Sequence, residues 1–132
     1  MTEQEVLGLL EETGALLTGH FELRSGLHSE RFFQCANLLR FPRKAQILCD
    51  AVVQNMREAG AVERIDAVIS PALGGILVGH EVARSLDVMS IFAEKVNDQL
   101  VMRRFEVEKG ARYVLAEDVI TRGGRVQETI DI

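Results

Sequence analysis

The chain has 132 residues and a mass of 14.7 kDa, room for one compact domain with a real core and little for a second. Apolar residues make up 47% and charged ones 27%, which argues against a disordered chain; a net charge of −5 disfavours a general nucleic-acid or anionic-membrane binder. No run approaches the ~20 apolar residues of a membrane span, and the acidic, polar N-terminus does not read as a secretory signal.

Thr2 with Glu5 three residues later makes a capping box, predicting a helix that carries Val6, Leu7, Leu9 and Leu10 and stops at Gly14. From His20 to Asn37 short extended pieces flank a turn-rich segment, Arg24, Ser25, Gly26, Leu27, His28 and Ser29. Adjacent Phe32 and Phe33 on a strand are expected to place one ring in the core. Pro42 starts a second predicted helix, where its missing N–H costs least, and Ala45, Leu48, Val52, Met56 and Ala59 form its apolar stripe before Gly60 ends it. Strands and helices then alternate. Residues 65–70 read as an apolar strand, Pro71 to Gly75 as a turn, and 76–86 as a helix with Val78, Val82 and Leu86 on one side. Residues 88–93 are a strand, Asn97 and Asp98 a turn before the alternating Leu100 and Met102. Residues 113–117 are a further strand after the turn at Glu108, Lys109 and Gly110. Such alternation predicts an α/β fold with a mostly parallel sheet and right-handed crossovers, in which ligands bind at the carboxyl ends of strands. Two Gly-containing turns sit at such ends, and the site is expected there.

Cys35 and Cys49 form no CxxC, and His20, His28 and His80 stand in unrelated contexts, which argues against zinc. Two buried thiols in a reducing cytoplasm are expected.

The segment with most chemistry runs from Tyr113 to Gly124. An apolar strand emerges into Glu117 and Asp118, then Thr121, Gly123 and Gly124 open a helix. Glycines let backbone N–H groups approach an anion, the helix start adds positive potential, and the Thr hydroxyl adds a donor, so the pattern is a phosphate cradle. The paired carboxylates suit the hydroxyls of a sugar attached to that phosphate, or a magnesium ion. A plainer reading is a strand that ends in an Asp cap and a Gly-rich turn.

This segment resembles the hallmark of the type I phosphoribosyltransferases. Further segments look like the orotate phosphoribosyltransferase family: Leu23, Arg24, Ser25, Gly26 with Ser29, Phe32 and Phe33; Ser70 to Gly75; Phe92, Ala93, Glu94 and Lys95; and Glu117 to Gly124 with Val126, Glu128 and Thr129. The resemblance runs from about residue 5 to the end. It implies the type I phosphoribosyltransferase fold, a single domain over 1–132, with an N-terminal hood and base-site segment at 1–40 and a core at 41–132. It also implies Mg²⁺ held mainly through phosphoribosyl diphosphate, a cytoplasmic homodimer, and neither nucleic acid nor membrane as partner.

Residue by residue, the resemblance implies that Glu117 and Asp118 hold the ribose hydroxyls. Val119, Ile120, Thr121, Arg122, Gly123 and Gly124 wrap the 5-phosphate, with Thr121 also near the orotate ring. Lys95 and Asp118 are the catalytic pair, Lys95 meeting the leaving diphosphate and Asp118 stabilising charge. Ala72, Leu73 and Gly74 offer backbone groups to the diphosphate. Arg24 sits near diphosphate and pyrimidine, Phe32 and Phe33 wall the base pocket, and Arg103 with Arg104 reaches a partner subunit's diphosphate. On residue type alone, Arg24, Lys95, Arg103 and Arg104 read equally as solvated surface charges.

Departures from the family pattern are specific. Arg125 stands where a small residue, commonly Ser, is usual; an arginine there would either grip the phosphate or crowd the loop. Gly74 replaces the lysine of some relatives, and Val96, Asn97 and Asp98 follow Lys95 where a Lys- and His-rich mobile loop is usual. Ile132 falls inside the helix after the phosphate loop, where the family continues with at least another strand and helix and an orotate-recognising arginine; a fragment or truncated product is therefore expected. The function implied is Mg²⁺-dependent transfer of phosphoribose to orotate, giving orotidine 5′-monophosphate and diphosphate in pyrimidine synthesis. A non-catalytic phosphoribosyl diphosphate binder or regulator and a purine phosphoribosyltransferase are the rival readings.

Overall fold

Thr2 Oγ1 accepts the Glu5 N–H at 3.2 Å and Glu5 Oε2 accepts the Thr2 N–H at 2.6 Å, so the capping box closes at the head of α1 (Glu3–Glu12). These details come from a computed structural model that describes all 132 residues. The chain divides into two units, Met1–Ala45 and Gln46–Ile132.

In the first unit Gly14, at φ 73°, ends the helix, and the chain turns into an antiparallel hairpin of β1 (Leu16–Glu22) and β2 (His28–Phe33). The first strand starts at Leu16 rather than near His20, because Leu16 pairs with Phe33 and Leu17 with Phe32. Arg24 sits exposed in the connecting turn, closed by Leu23 N–H to Leu27 O and Gly26 N–H to Leu23 O, both 2.8 Å. Neither phenylalanine enters a core. Phe32 and Phe33 are 36% and 43% exposed, since adjacent side chains leave opposite faces of a two-stranded ribbon that has no third strand. Phe32 packs instead on Phe21, ring centroids 5.6 Å apart. A short α2 (Ala36–Leu39), absent from the sequence reading, precedes α3 (Pro42–Glu58), which spans the boundary between the units. Cys35, at the start of α2, is half-buried rather than buried.

In the second unit a four-stranded sheet runs in the order β5-β4-β3-β6, with β3 (Ala67–Pro71), β4 (Met89–Val96), β5 (Gln99–Val101) and β6 (Tyr113–Leu115). β3 is parallel to both β4 and β6, and β5 is antiparallel to β4, so the mostly parallel α/β sheet expected from the alternation is present. Every residue of β3 is buried, as a strand flanked on both edges and both faces must be. α4 (Gly75–Leu86) follows β3, and α5 (Gly124–Ile130) follows the loop after β6. The core joins Cys49 and Val53 of α3, Val68 of β3, Val82 and Ala83 of α4 and Ala116, with Val78 and Leu86 packed against them. The apolar stripe of α3 thus lies at Ala45, Cys49 and Val53, while Val52 and Ala59 are exposed. Cys49, a small apolar packer, sets the phase of this stripe. Burial pushes the Cys49 thiol up to about 11, leaving it inert at neutral pH.

Gly79 sets the distance between α4 and β3. A Cβ there would lie 2.5 Å from Ser70 Oγ and 2.8 Å from Ser70 Cβ. Only a glycine lets the helix approach this closely.

Candidate functional site

β3 ends at Pro71 and β6 at Leu115, side by side and parallel, so the residues that follow each strand emerge at one carboxyl edge of the sheet. After β3 come Ala72, Leu73, Gly74 and Gly75, including a cis peptide between Ala72 and Leu73. After β6 come Ala116, Glu117 and Asp118. The two connections touch. A Cβ on Gly74 would lie 2.8 Å from both Asp118 carboxylate oxygens, and one on Gly75 would lie 3.0 Å from Glu117 Oε1 and 3.3 Å from the Ala116 carbonyl. The paired glycines are therefore required by close approach of the acid pair, at φ values open to any residue, Gly74 lying at −60°. A lysine at position 74 would need the Asp118 carboxylate to swing aside.

Glu117 is the more enclosed acid: its side chain is 2% exposed, and Oε1 accepts the Asp118 backbone N–H at 3.2 Å. Burial, with a side-chain hydrogen bond to Asp118, pushes its carboxyl up to about 7; the Asp118 N–H and the Arg125 guanidinium pull the other way. Asp118 is half-buried at the mouth of the edge.

Beyond the acids, Thr121 and Arg122 are exposed, Gly123 takes φ 77° as the residue before α5, and Gly124 begins that helix. Val119, Ile120, Thr121, Gly123, Gly124 and Arg125 line a small cavity of about 50 Å³ that also reaches Glu117. Left-handed Gly123 is what lets the loop curl around this space. Ile120 and Val119 are 66% and 39% exposed, so they contribute backbone to the loop rather than packing. Arg125, at the wall of this space, also reaches the end of β3: Nη2 donates to the Ala72 carbonyl and, at 3.4 Å, to the Pro71 carbonyl, and Nε stands 3.4 Å from Glu117 Oε2.

Lys95 is exposed near the end of β4, facing Leu100 across the β4–β5 ladder. Asn97 and Asp98, at φ 50° and 61°, make the expected turn, a two-residue hairpin connection between β4 and β5. Arg104 pairs with Glu94 at 2.8 Å, and Arg103 beside it is exposed. The edge thus brings together Ala72, Leu73, Gly74, Glu117, Asp118, the 119–124 loop and Arg125; Arg24, Phe32 and Phe33 belong to the first unit and are described there. Two features had no place in the sequence reading. Ser70 Oγ is buried without a hydrogen-bond partner beneath this edge. In the first unit, His20 Nε2 and His28 Nδ1 meet at 2.6 Å across the hairpin. Only the closeness of the two strands pairs those histidines, and no local pattern marks either residue.

No family model matches the chain. Individual relatives do. It is 44% identical over 133 aligned positions to an orotate phosphoribosyltransferase of Desulforamulus reducens, covering all of this chain and 68% of that protein. It is 45% identical to one from Pelotomaculum thermopropionicum, covering 99% and 67%. The chain therefore spans about two thirds of the length of these relatives. Among solved structures, orotate phosphoribosyltransferase from Aeropyrum pernix superposes with a TM-score of 0.70 at 24% identity, covering 95% of this chain and 70% of that one. Leishmania donovani UMP synthase superposes at 0.76 with 16% identity, covering 99% and 28%. These two structural likenesses speak to the fold.

Proposed function

Since the chain belongs to the orotate phosphoribosyltransferase family, a family of glycosyltransferases in pyrimidine biosynthesis, we propose that it transfers the phosphoribosyl group of phosphoribosyl diphosphate to orotate, giving orotidine 5′-monophosphate and diphosphate. The observation that carries this reading is the contact of the Gly74–Gly75 turn with Glu117 and Asp118, which brings to one edge the segments to which the resemblance assigns the diphosphate and the ribose.

In the reaction the bond from the anomeric carbon to diphosphate breaks, the electron pair leaving with diphosphate, and a ring nitrogen of orotate forms the new C–N bond as its N–H proton passes to diphosphate or water. Only that one proton moves, so positioning and electrostatics supply most of the acceleration. Glu117 and Asp118 would accept hydrogen bonds from the ribose hydroxyls and face the positive charge that develops on the sugar. Thr121, Arg122, Gly123 and Gly124 would hold the 5-phosphate with backbone N–H groups and the Thr121 hydroxyl, with Thr121 also near orotate. Ala72, Leu73 and Gly74 would present backbone groups to the diphosphate, and Lys95 its ammonium.

Magnesium suits the oxygen donors of this edge, but no three Asp, Glu, His or Cys side chains cluster as a cage. The ion would be held mainly through the diphosphate oxygens, beside the 72–74 backbone, where it supplies charge neutralisation to the leaving group. No helix is long and apolar enough to cross a membrane. The resemblance also supports a homodimer in the cytoplasm.

The test is the ultraviolet absorbance loss of orotate on mixing with phosphoribosyl diphosphate and Mg²⁺, run beside Lys95→Ala. Turnover that falls by ~10²–10³ in the variant, the usual cost of one charge-stabilising donor, is expected. A folded chain that binds phosphoribosyl diphosphate without turnover would instead be a binder or regulator. Sedimentation velocity on the same sample should report a dimer of the 14.7 kDa chain.

A further inference from the structure

Arg125 is the second residue of α5, and its side chain, 42% exposed, reaches back to the acid edge. One end of the guanidinium, Nη2, donates to the carbonyls of Pro71 and Ala72, where β3 passes into the diphosphate turn. The other side, Nε, faces Glu117 Oε2 at 3.4 Å. That ion pair is enclosed but incomplete: neither Arg125 Nε nor Glu117 Oε2 has an aligned hydrogen bond, although both are buried. Oε1, the other carboxylate oxygen, is held by the Asp118 N–H. A single planar cation thus touches three segments: the head of α5, the exit of β3 and the first acid after β6.

We propose that Arg125 is a positioning residue of the phosphoribosyl diphosphate site, whose guanidinium ties the 71–72 turn to the phosphate loop and fixes the Glu117 carboxylate toward the ribose hydroxyls. This rests on the phosphoribosyl-transfer reading above. Three points carry it. First, Nη2 is committed to two carbonyls and Nε faces the Glu117 carboxylate, so the side chain acts on the ligand through Glu117 and the turn. Second, the arrangement needs a fork. The carbonyls and the carboxylate are met by different nitrogens of one rigid plane, a spacing that the single nitrogen of an ammonium does not reproduce. Third, Glu117 is enclosed, and Arg125 is the cation that faces it; Asp118, on the same connection, is a like charge. Removing the guanidinium leaves a carboxylate without its counter-charge and two carbonyls without their donor.

The experiment is calorimetric titration with phosphoribosyl diphosphate and Mg²⁺ at 25 °C on the full chain, Arg125→Met, Arg125→Lys, Glu117→Gln and Glu117→Gln combined with Arg125→Met. Circular dichroism confirms that each is folded. Both Arg125 variants are expected to raise Kd by about tenfold in the native background, and Arg125→Met by less than about twofold in the Glu117→Gln background, the signature of two groups acting as one. Lysine restoring native affinity would overturn the proposal in favour of direct anion contact, since lysine binds phosphate well as a point charge. Native affinity in Arg125→Met with lowered thermal stability would reduce the residue to a structural staple. Equal losses in both backgrounds would show that it does not act through Glu117. If the native chain itself fails to bind the ligand, the phosphoribosyl-transfer reading falls first and takes this one with it.

Discussion

Glu117 couples the site to the stability of the fold. Its carboxyl is pushed up to about 7 from an ordinary 4.5, so the folded chain holds this proton more tightly than the unfolded chain does. The stabilisation is full below about 4.5 and is lost as pH rises through about 7. Glu117→Gln keeps the shape and removes the titration. Urea midpoints measured from pH 4.5 to 7.5 should therefore fall less steeply in Glu117→Gln than in the native chain; parallel slopes would assign the decline to other groups. At this scale the sequence was a good guide to residue types. The acid pair and glycines were legible because strand, acids and loop are contiguous from Tyr113 to Gly124. The direction of Arg125 was not, because its carbonyl partners lie 53 and 54 residues away and no local pattern encodes that contact.

Gly79 lies in the interior of α4, where propensity alone makes Gly→Ala favourable by ~1 kcal/mol. Here the added methyl would meet Ser70 Oγ at 2.5 Å and Ser70 Cβ at 2.8 Å; rotating the serine moves the first atom but not the second. Overpacking costs ~1–3 kcal/mol and should decide the sign, so Gly79→Ala is expected to lower Tm by several degrees. Gly8→Ala in α1 has nothing within 4 Å of the new methyl and should raise stability instead, a paired control measured in the same melt. Elements with strong punctuation are legible: the capping box, Pro42 and the Asn97–Asp98 hairpin stand where expected, and the turn expected over 71–75 narrows to 72–74. The phase of α3 and the four-residue α2 are not, since Cys49 counts as apolar only once its packing is known and α2 is too short to show a period.

The whole-molecule statement available from sequence was the parallel α/β order, and the superposition on solved phosphoribosyltransferase folds agrees with it. The division falls after Ala45, inside α3, five residues beyond the 40/41 boundary that the resemblance implies. A ligand that binds only the folded chain stabilises it by mass action. Phosphoribosyl diphosphate with Mg²⁺ at a hundred times its Kd should add ~2.7 kcal/mol, or roughly 10 °C in Tm for a chain of this length. Scanning calorimetry with inorganic phosphate at the same concentration is the control; an equal shift from phosphate would show that the sugar is not being recognised.

The antiparallel pairing of β4 with β5 bears on the speed of the proposed reaction. A cation on a loose lid must wait for the lid to order, at ~1–2 kcal/mol for every backbone residue fixed. Lys95 faces Leu100 in a closed ladder. Paired in this way, Lys95 would meet the proposed diphosphate by side-chain rotation, at up to ~2 kcal/mol, with its backbone already held in the ladder.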